Sequence, residues 1–258
     1  MSGATASSPQ SIDRAATLLV HLLDSEGPTT LAELTDAADL PKSTASRLLS
    51  ALERHGLVHQ AGQRGTFEPG PAIMRFAHRG AVERSLVEFA EPSLELLSAE
   101  SGETVNLAVP GSDGVEHLAQ VDAHHFLGTG HWVGRRVDYH CTANGKVFLA
   151  FGAGELPAGR LPRLTPHTVL DRDQLESELE QIRADDFGTA IDELELGLSA
   201  MAAPVRGPTG DVIAALSLSG PTMRLTPSRI SGLRPVLTNE AHALSQRLST
   251  AKKEERAA

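Results

Sequence analysis

The sequence is poor in the residues that most readily announce a chemistry. One cysteine, Cys141, stands among 258 residues, so no intramolecular disulfide can form and a cysteine-rich zinc module is excluded. Aromatic residues are few: seven Phe, one Trp and one Tyr. No apolar run reaches the length a membrane-spanning helix needs, so no membrane span is expected. The opening MSGATASSPQ has neither the basic nor the apolar segment of a secretory signal, and a cytoplasmic protein is expected. Basic side chains are outnumbered, with 23 Lys and Arg against 33 Asp and Glu and a net charge of −10. That balance excludes a uniformly basic nucleic-acid coat but leaves room for a local patch. What is present is 40% hydrophobic residues, enough for one large or two ordinary domains with real cores.

Small polar residues fill positions 1–9, which read as a disordered tail. From Ser11 to Leu23 the apolar residues Ile12, Ala15, Ala16, Leu18, Leu19, Leu22 and Leu23 fall at helical offsets. Thr30-Leu31-Ala32-Glu33 has the form of a capping box for a short second helix. Pro41 suits the first turn of a third, PKSTASRLLSALERHG, with Ala45, Leu48, Leu49 and Leu52 as its stripe and Gly56 as its stop. Leu57–Gln60 and Thr66–Glu68 flank a Gly-rich turn as a hairpin. Helix, helix-turn-helix and hairpin over residues 11–70 follow the order of a winged helix-turn-helix.

A further helix is predicted over 71–90, and Pro92 is read as opening another, Ser93–Glu100. The remainder alternates differently. Thr104–Val109, Val115–Val121, Ser199–Val205 and Val212–Ser219 read as strands. Thr142–Phe151, Arg172–Ala184 and Thr226 to about Ser249 read as helices. The fold class is α+β, with an antiparallel sheet flanked by helices in the second half. The expected division is 9–75, a linker helix at 76–92, and 93–250.

The third helix carries the first functional signal. A helix that enters the DNA major groove needs small polar or basic residues on its exposed N-terminal face. Lys42, Ser43, Thr44, Ser46 and Arg47 supply them, and Arg47 can bind a guanine edge bidentately. Between 41 and 64 the charges are Lys42, Arg47, Arg54 and Arg64 against Glu53 alone, a local inversion within an acidic chain. Arg64, at the hairpin tip, is placed to touch backbone or minor groove. The competing reading is a polar surface on a protein-binding winged helix.

The run LPKSTASRLLSALERHGLV resembles the helix-turn-helix of the isocitrate-lyase-regulator (IclR) family of transcription factors. The resemblance continues through SGETVNLAV at 101–109, HCTANGKVFLAF at 140–151 and ALSLSGP at 215–221, and so covers roughly residues 11–249. It implies a winged-helix DNA reader, a linker helix and a GAF-like effector domain. It also implies a dimer or tetramer on a palindromic operator. The DNA contacts then fall on Lys42, Ser43, Thr44, Ser46 and Arg47, with Arg64 beside them.

In the second half no catalytic pattern stands out: there is no G-x-S-x-G, no H-E-x-x-H and no P-loop around Asn144-Gly145-Lys146. The rival reading is a metal-dependent enzyme fused to a helix-turn-helix. It uses His124, His125, His131, His140 and Cys141, with Asp122 and Asp138 nearby. Adjacent histidines on an extended segment point to opposite sides, which weakens it; no metal and no cofactor are expected. Ser217 and Ser219, two apart on one strand, share a face, and two inward hydroxyls need a partner, either local backbone or a ligand. The family resemblance assigns them, with Ala143, Asn144, Ala190 and Ala200, to an effector pocket. The start of the helix at Thr142–Gly145 can offer backbone N–H groups to a carboxylate. Alanines at 190 and 200, where some relatives carry an acid and a cysteine, favour a small aromatic or hydrophobic acid over a two-carbon one. His131, Trp132 and Tyr139 lie in a segment that can cover the cavity, although Trp132 can equally be ordinary packing.

Overall fold

The computed structural model describes residues 10–62, 65–125 and 128–255. The predicted tail at 1–9 and Arg64 lie outside the described residues. Two compact units divide after Val82.

The first unit contains α1 (Gln10–Leu23), β1 (Thr29–Thr30), α2 (Leu31–Ala37), α3 (Lys42–Arg54), β2 (Val58–Ala61), β3 (Thr66–Pro69) and the opening of α4 (Pro71–Ser101). The capping box forms as expected: the Thr30 amide donates to Glu33 Oε2 at 2.8 Å and the Glu33 amide to Thr30 Oγ1 at 3.3 Å. Pro41 sits at the N-cap of α3, and its carbonyl accepts from the Thr44 and Ala45 amides. At the other end Gly56 takes φ +67°, a conformation only glycine adopts without strain. Its amide bonds the Glu53 carbonyl and the Leu57 amide bonds that of Leu52, which is the Schellman pattern. Leu18 and Leu22 of α1, Leu34 of α2, Ala45 and Leu49 of α3, Val58 and Phe67 form one buried cluster. The two-residue strand β1, too short to show a periodicity, pairs with β3 in the order β1-β3-β2.

In the second unit six strands form an antiparallel sheet in the order β6-β5-β4-β9-β8-β7. They are β4 (Thr104–Pro110), β5 (Val115–Val121), β6 (Arg136–Val137), β7 (Gly188–Ile191), β8 (Leu198–Arg206) and β9 (Val212–Pro221). Helices α5 (Ala143–Ala150), α6 (Arg172–Asp185) and α7 (Pro227–Glu255) complete it, with the rest of α4. The period-two alternation of the central strands feeds two cores. Val105, Leu107, Met201, Ala203, Leu216 and Leu218 point to the side of Leu94 and Leu97 of α4 and Leu237 and Leu244 of α7. Ala108, Ala202 and Ala215 point the other way, to Val147 and Phe148 of α5 and Leu175, Leu179 and Ile182 of α6.

One expectation fails at Pro92, which does not open a new helix. The helix α4 runs from Pro71 to Ser101 without a break, through the expected linker at 76–92. An interior proline gives up a backbone bond. Here a buried stripe, Leu86, Ala90, Leu94 and Leu97, runs past it on one face and holds the helix together. The Arg247 guanidinium of α7 also bonds the Phe89 carbonyl at 3.2 Å and Ser93 Oγ at 2.6 Å, bracketing the proline. Among the described residues no helix is long and apolar enough to cross a membrane.

Candidate functional site

Two surfaces carry polar groups that the fold itself does not use. The first is the outer face of α3. Because Ala45 and Leu49 are buried, helical geometry turns Lys42, Ser43, Ser46 and Arg47 to solvent, and all four are exposed. Thr44 is half-buried at the edge of that face. Neither Lys42 nor Arg47 takes part in an ion pair among the described residues, so both charges remain available.

The second is a cavity between the sheet and the N-terminus of α5. Strand register builds one wall. Asn106 of β4 lies opposite Ser217 of β9, which lies opposite Ala202 of β8. The next same-face row is Thr104, Ser219, Ala200 and Ala190. The other lining residues come from β5 (His117), the segment before β6 (Trp132), β6 (Val137), the start of α5 (Thr142, Ala143, Asn144) and the β7–β8 connection (Leu194). Leu198 completes the lining, and the free space is about 40 Å³.

Polar groups converge on this space. Asn144 Nδ2 donates to Ser217 Oγ at 3.0 Å, and Asn106 Nδ2 to Ser219 Oγ at 3.4 Å. Each amide oxygen is left buried with no partner, and so is His117 Nδ1. An unmet buried polar group costs about 1–3 kcal/mol, so three in one cavity point to a binding function. Burial pushes the His117 imidazole down to about 4, against a weaker upward pull from the Arg135 backbone, so the ring is neutral near pH 7. The lid over the cavity is tied by Trp132 Nε1, which donates to Thr129 Oγ1 at 3.2 Å. That hydroxyl lies 3.4 Å from Ser219 Oγ.

The start of α5 is set by its own sequence. Thr142 caps the helix, accepting from the Gly145 amide at 3.2 Å, so that amide is not free for a ligand. The Ala143 and Asn144 amides belong to the first turn, where no intrahelical acceptor exists. Gly145 is required because a Cβ there would strike the Tyr139 backbone. Lys146 points away from the cavity. It is fully buried and pairs with Glu193 at 2.6 Å and Glu178 at 2.7 Å.

Comparison with known proteins settles what this combination is. The model described as "Bacterial transcriptional regulator IclR C-terminal" matches residues 78–246, and the IclR helix-turn-helix domain matches 11–62. The chain belongs to the IclR family. It is 32% identical over 229 residues to the transcriptional repressor IclR of Escherichia coli, covering 86% of this chain and 84% of that one. It is 36% identical over 219 residues to an HTH-type transcriptional regulator of Mycobacterium tuberculosis, covering 83% of each. A solved transcriptional regulator from Rhodococcus superposes with a TM-score of 0.60 at 30% identity, over 93% of this chain and 98% of that one. The repressor BlcR of Agobacterium tumefaciens gives 0.57 at 26%, over 93% and 97%. The IclR-type chain is thus a DNA-binding transcriptional regulator with an effector-binding unit.

Of the pocket residues anticipated from sequence, Ala143, Asn144, Ala200, Ser217 and Ser219 line the cavity of this IclR-family chain. Ala190 does not; it shares a row with Ala200 but packs into the core one strand further out. Tyr139 is core rather than cover: its ring meets Phe148 edge-on and its hydroxyl donates to the Gly111 carbonyl at 2.8 Å. His131 is exposed, whereas Trp132 lines the cavity. Sequence reasoning misses Asn106 and His117. Each shares its strand face with an apolar residue two positions away, Ala108 for Asn106 and Val115 for His117, and that is the signal that could have found them.

The histidine-rich stretch does not gather as one metal centre. His124 and His125 are exposed, and His124 Nε2 lies 3.2 Å from Ser98 Oγ. Among the described residues only Asp138, His140 and Cys141 bring ligand atoms within 4.8 Å of one another. There His140 Nε2 is bonded to the Pro162 carbonyl at 2.9 Å, and burial pushes the Cys141 thiol up to about 12. A buried thiol and a bonded imidazole favour a structural role for this trio.

Proposed function

We propose that this chain is a non-enzymatic, cytoplasmic regulator that binds a palindromic operator as a dimer or tetramer and changes its operator affinity when a small organic acid enters the cavity. In this reading residues 9–75 read DNA and 93–250 bind the effector, joined through 76–92. Lys42, Ser43, Thr44, Ser46 and Arg47 form the recognition face, and Arg64 adds a backbone or minor-groove contact. The observation that carries the reading is the outer face of α3, with two exposed cations on a chain of net charge −10. The acid's carboxylate would meet the amides of Ala143 and Asn144 and the Ser217 hydroxyl, since the helix terminus is the positive pole of the cavity.

The test is binding to the promoter region beside the chain's own gene, titrated against salt. Wild type is expected to bind specifically with a steep salt dependence. Arg47→Ala is expected to weaken specific binding by about 1–3 kcal/mol and to lower the salt slope by about 0.9 for each phosphate it no longer neutralises. Indifference of a folded Arg47→Ala protein would refute the assignment of α3. A saturating effector that left operator affinity unchanged would refute the coupling, because linkage must appear in both equilibria.

A further inference from the structure

The cavity's chemistry narrows the kind of molecule it can hold. Among the described residues no Lys, Arg, Asp or Glu lines it. The nearby Lys146 is committed to Glu178 and Glu193 on the far side of α5. Its one positive pole is the first turn of α5, which can serve one carboxylate. An ammonium group would find no carboxylate there. A second carboxylate would be buried against amides and an imidazole that burial keeps neutral, without a counter-charge. The three unpartnered atoms, Asn106 Oδ1, His117 Nδ1 and Asn144 Oδ1, ask instead for neutral hydrogen-bonding groups. The imidazole can accept or donate according to its tautomer.

We propose that the cavity selects a small monocarboxylate bearing a second, uncharged hydrogen-bonding group such as a hydroxyl, and that His117 and Asn106 read that second group. The proposal rests on the reading of this cavity as the effector site. His117 and Asn106 are specificity-determining residues: they set which acid is taken, while α5 and Ser217 hold the carboxylate common to all of them. Register supports the division. His117 sits opposite Ala108, one same-face row along from the Asn106–Ser217 row, so the two readers occupy successive rows of one wall. His117 also faces the Trp132 ring of the lid, with centroids 6.0 Å apart, so a ligand that engages it lies directly under the lid.

The experiment is calorimetric titration of the full chain with two matched series. One is propionate, 3-hydroxypropionate and malonate; the other is benzoate, 4-hydroxybenzoate and terephthalate. In the series that fits, the hydroxy acid is expected to bind at least about tenfold more tightly than the plain acid and the diacid. His117→Leu and, independently, Asn106→Leu are expected to bring the hydroxy acid down to the plain acid's affinity while leaving the plain acid within about twofold; circular dichroism checks that each variant folds. Equal affinities within a series, a preferred diacid, or no binding by any probe at millimolar concentration would overturn the proposal. Ala200→Phe, which fills the cavity, separates the two levels. A probe that binds this variant as well as wild type binds elsewhere and refutes the cavity as effector site. A probe that fails to bind Ala200→Phe but is blind to the hydroxyl refutes the specificity alone.

Discussion

Replacing Lys146 by Met removes a charge and almost no volume. In the folded chain Lys146 is fully buried, with Glu193 at 2.6 Å and Glu178 at 2.7 Å. The two carboxylates differ. Glu178 is about a third exposed and can turn to water, whereas Glu193 is buried and its Oε2 already lacks a partner. Burial pushes the Glu193 carboxyl above its ordinary value even against the pull of Lys146. With Lys146 gone, Glu193 is stranded and takes up a proton on folding. Holding a proton at pH 7 on a group whose unfolded value is about 4.3 costs about 3–4 kcal/mol, in line with the cost of breaking a buried pair. The folded variant then binds one more proton than the unfolded chain between about pH 4.3 and 7. Its stability deficit relative to wild type should therefore grow by up to about 1.4 kcal/mol per pH unit as pH rises. Urea unfolding followed by Trp132 fluorescence at several pH values measures this. Lys146→Met/Glu193→Gln should recover much of the stability at pH 7. A deficit that is independent of pH would mean that poorer packing, not a stranded carboxylate, is responsible, and would refute the reasoning.

Gly145→Ala should destabilise the second unit, although alanine is the better helix former by about 1 kcal/mol, because its Cβ would strike the Tyr139 backbone. A stabilised variant in urea unfolding would contradict that close approach. The His117 imidazole, held near 4 against an ordinary value of 6.5, should make wild type lose about 2 kcal/mol between about pH 6.5 and 5. The sign follows from proton counting: over that range the unfolded chain binds the extra proton, so acid favours unfolding. His117→Phe should abolish that part of the slope, and an unchanged pH profile in this variant would show that His117 titrates normally.

Legibility from sequence depended on how local the determining interaction is. The α2 start, the α3 start and stop, and the exposed α3 face were readable because each is set within four or five residues: Thr30 with Glu33, Pro41 with Ala45, Gly56 with Glu53. The four long strands were readable because each pair flanks a local turn, 111–114 and 206–211. Pro92 misled because the continuity of α4 is enforced by Arg247, more than 150 residues away, and by a stripe that packs on the sheet and α7. β1, β6 and β7 are two to four residues long and gain their identity only from a partner strand. The cavity fell between these cases. Ser217 and Ser219 were visible as a same-face pair, but their partners Asn144 and Asn106 lie 73 and 113 residues away, and only pairing of β4 with β9 shows that Asn106 shares their wall.

The cavity also explains how a small ligand could be sensed. Ligand pockets usually hold some 300–1,000 Å³, and about 40 Å³ is free here, so an acid of several heavy atoms must displace something. The sheet wall is the centre of two cores and cannot yield cheaply. The lid can: it is held over Ser219 by the 3.2 Å Trp132–Thr129 bond and the 3.4 Å Thr129–Ser219 contact, both long. Breaking two such bonds costs about 1 kcal/mol each, whereas a hydroxyl that donates to Asn106 Oδ1 and accepts from His117 Nδ1 satisfies two buried orphans and returns about 1–3 kcal/mol apiece. A ligand that satisfies both therefore favours the displaced lid, and one that only fills space does not. By linkage, such a ligand can shift the chain between two states only as far as it prefers the displaced lid. The same polar atoms that select the effector thus fix how strongly it can signal.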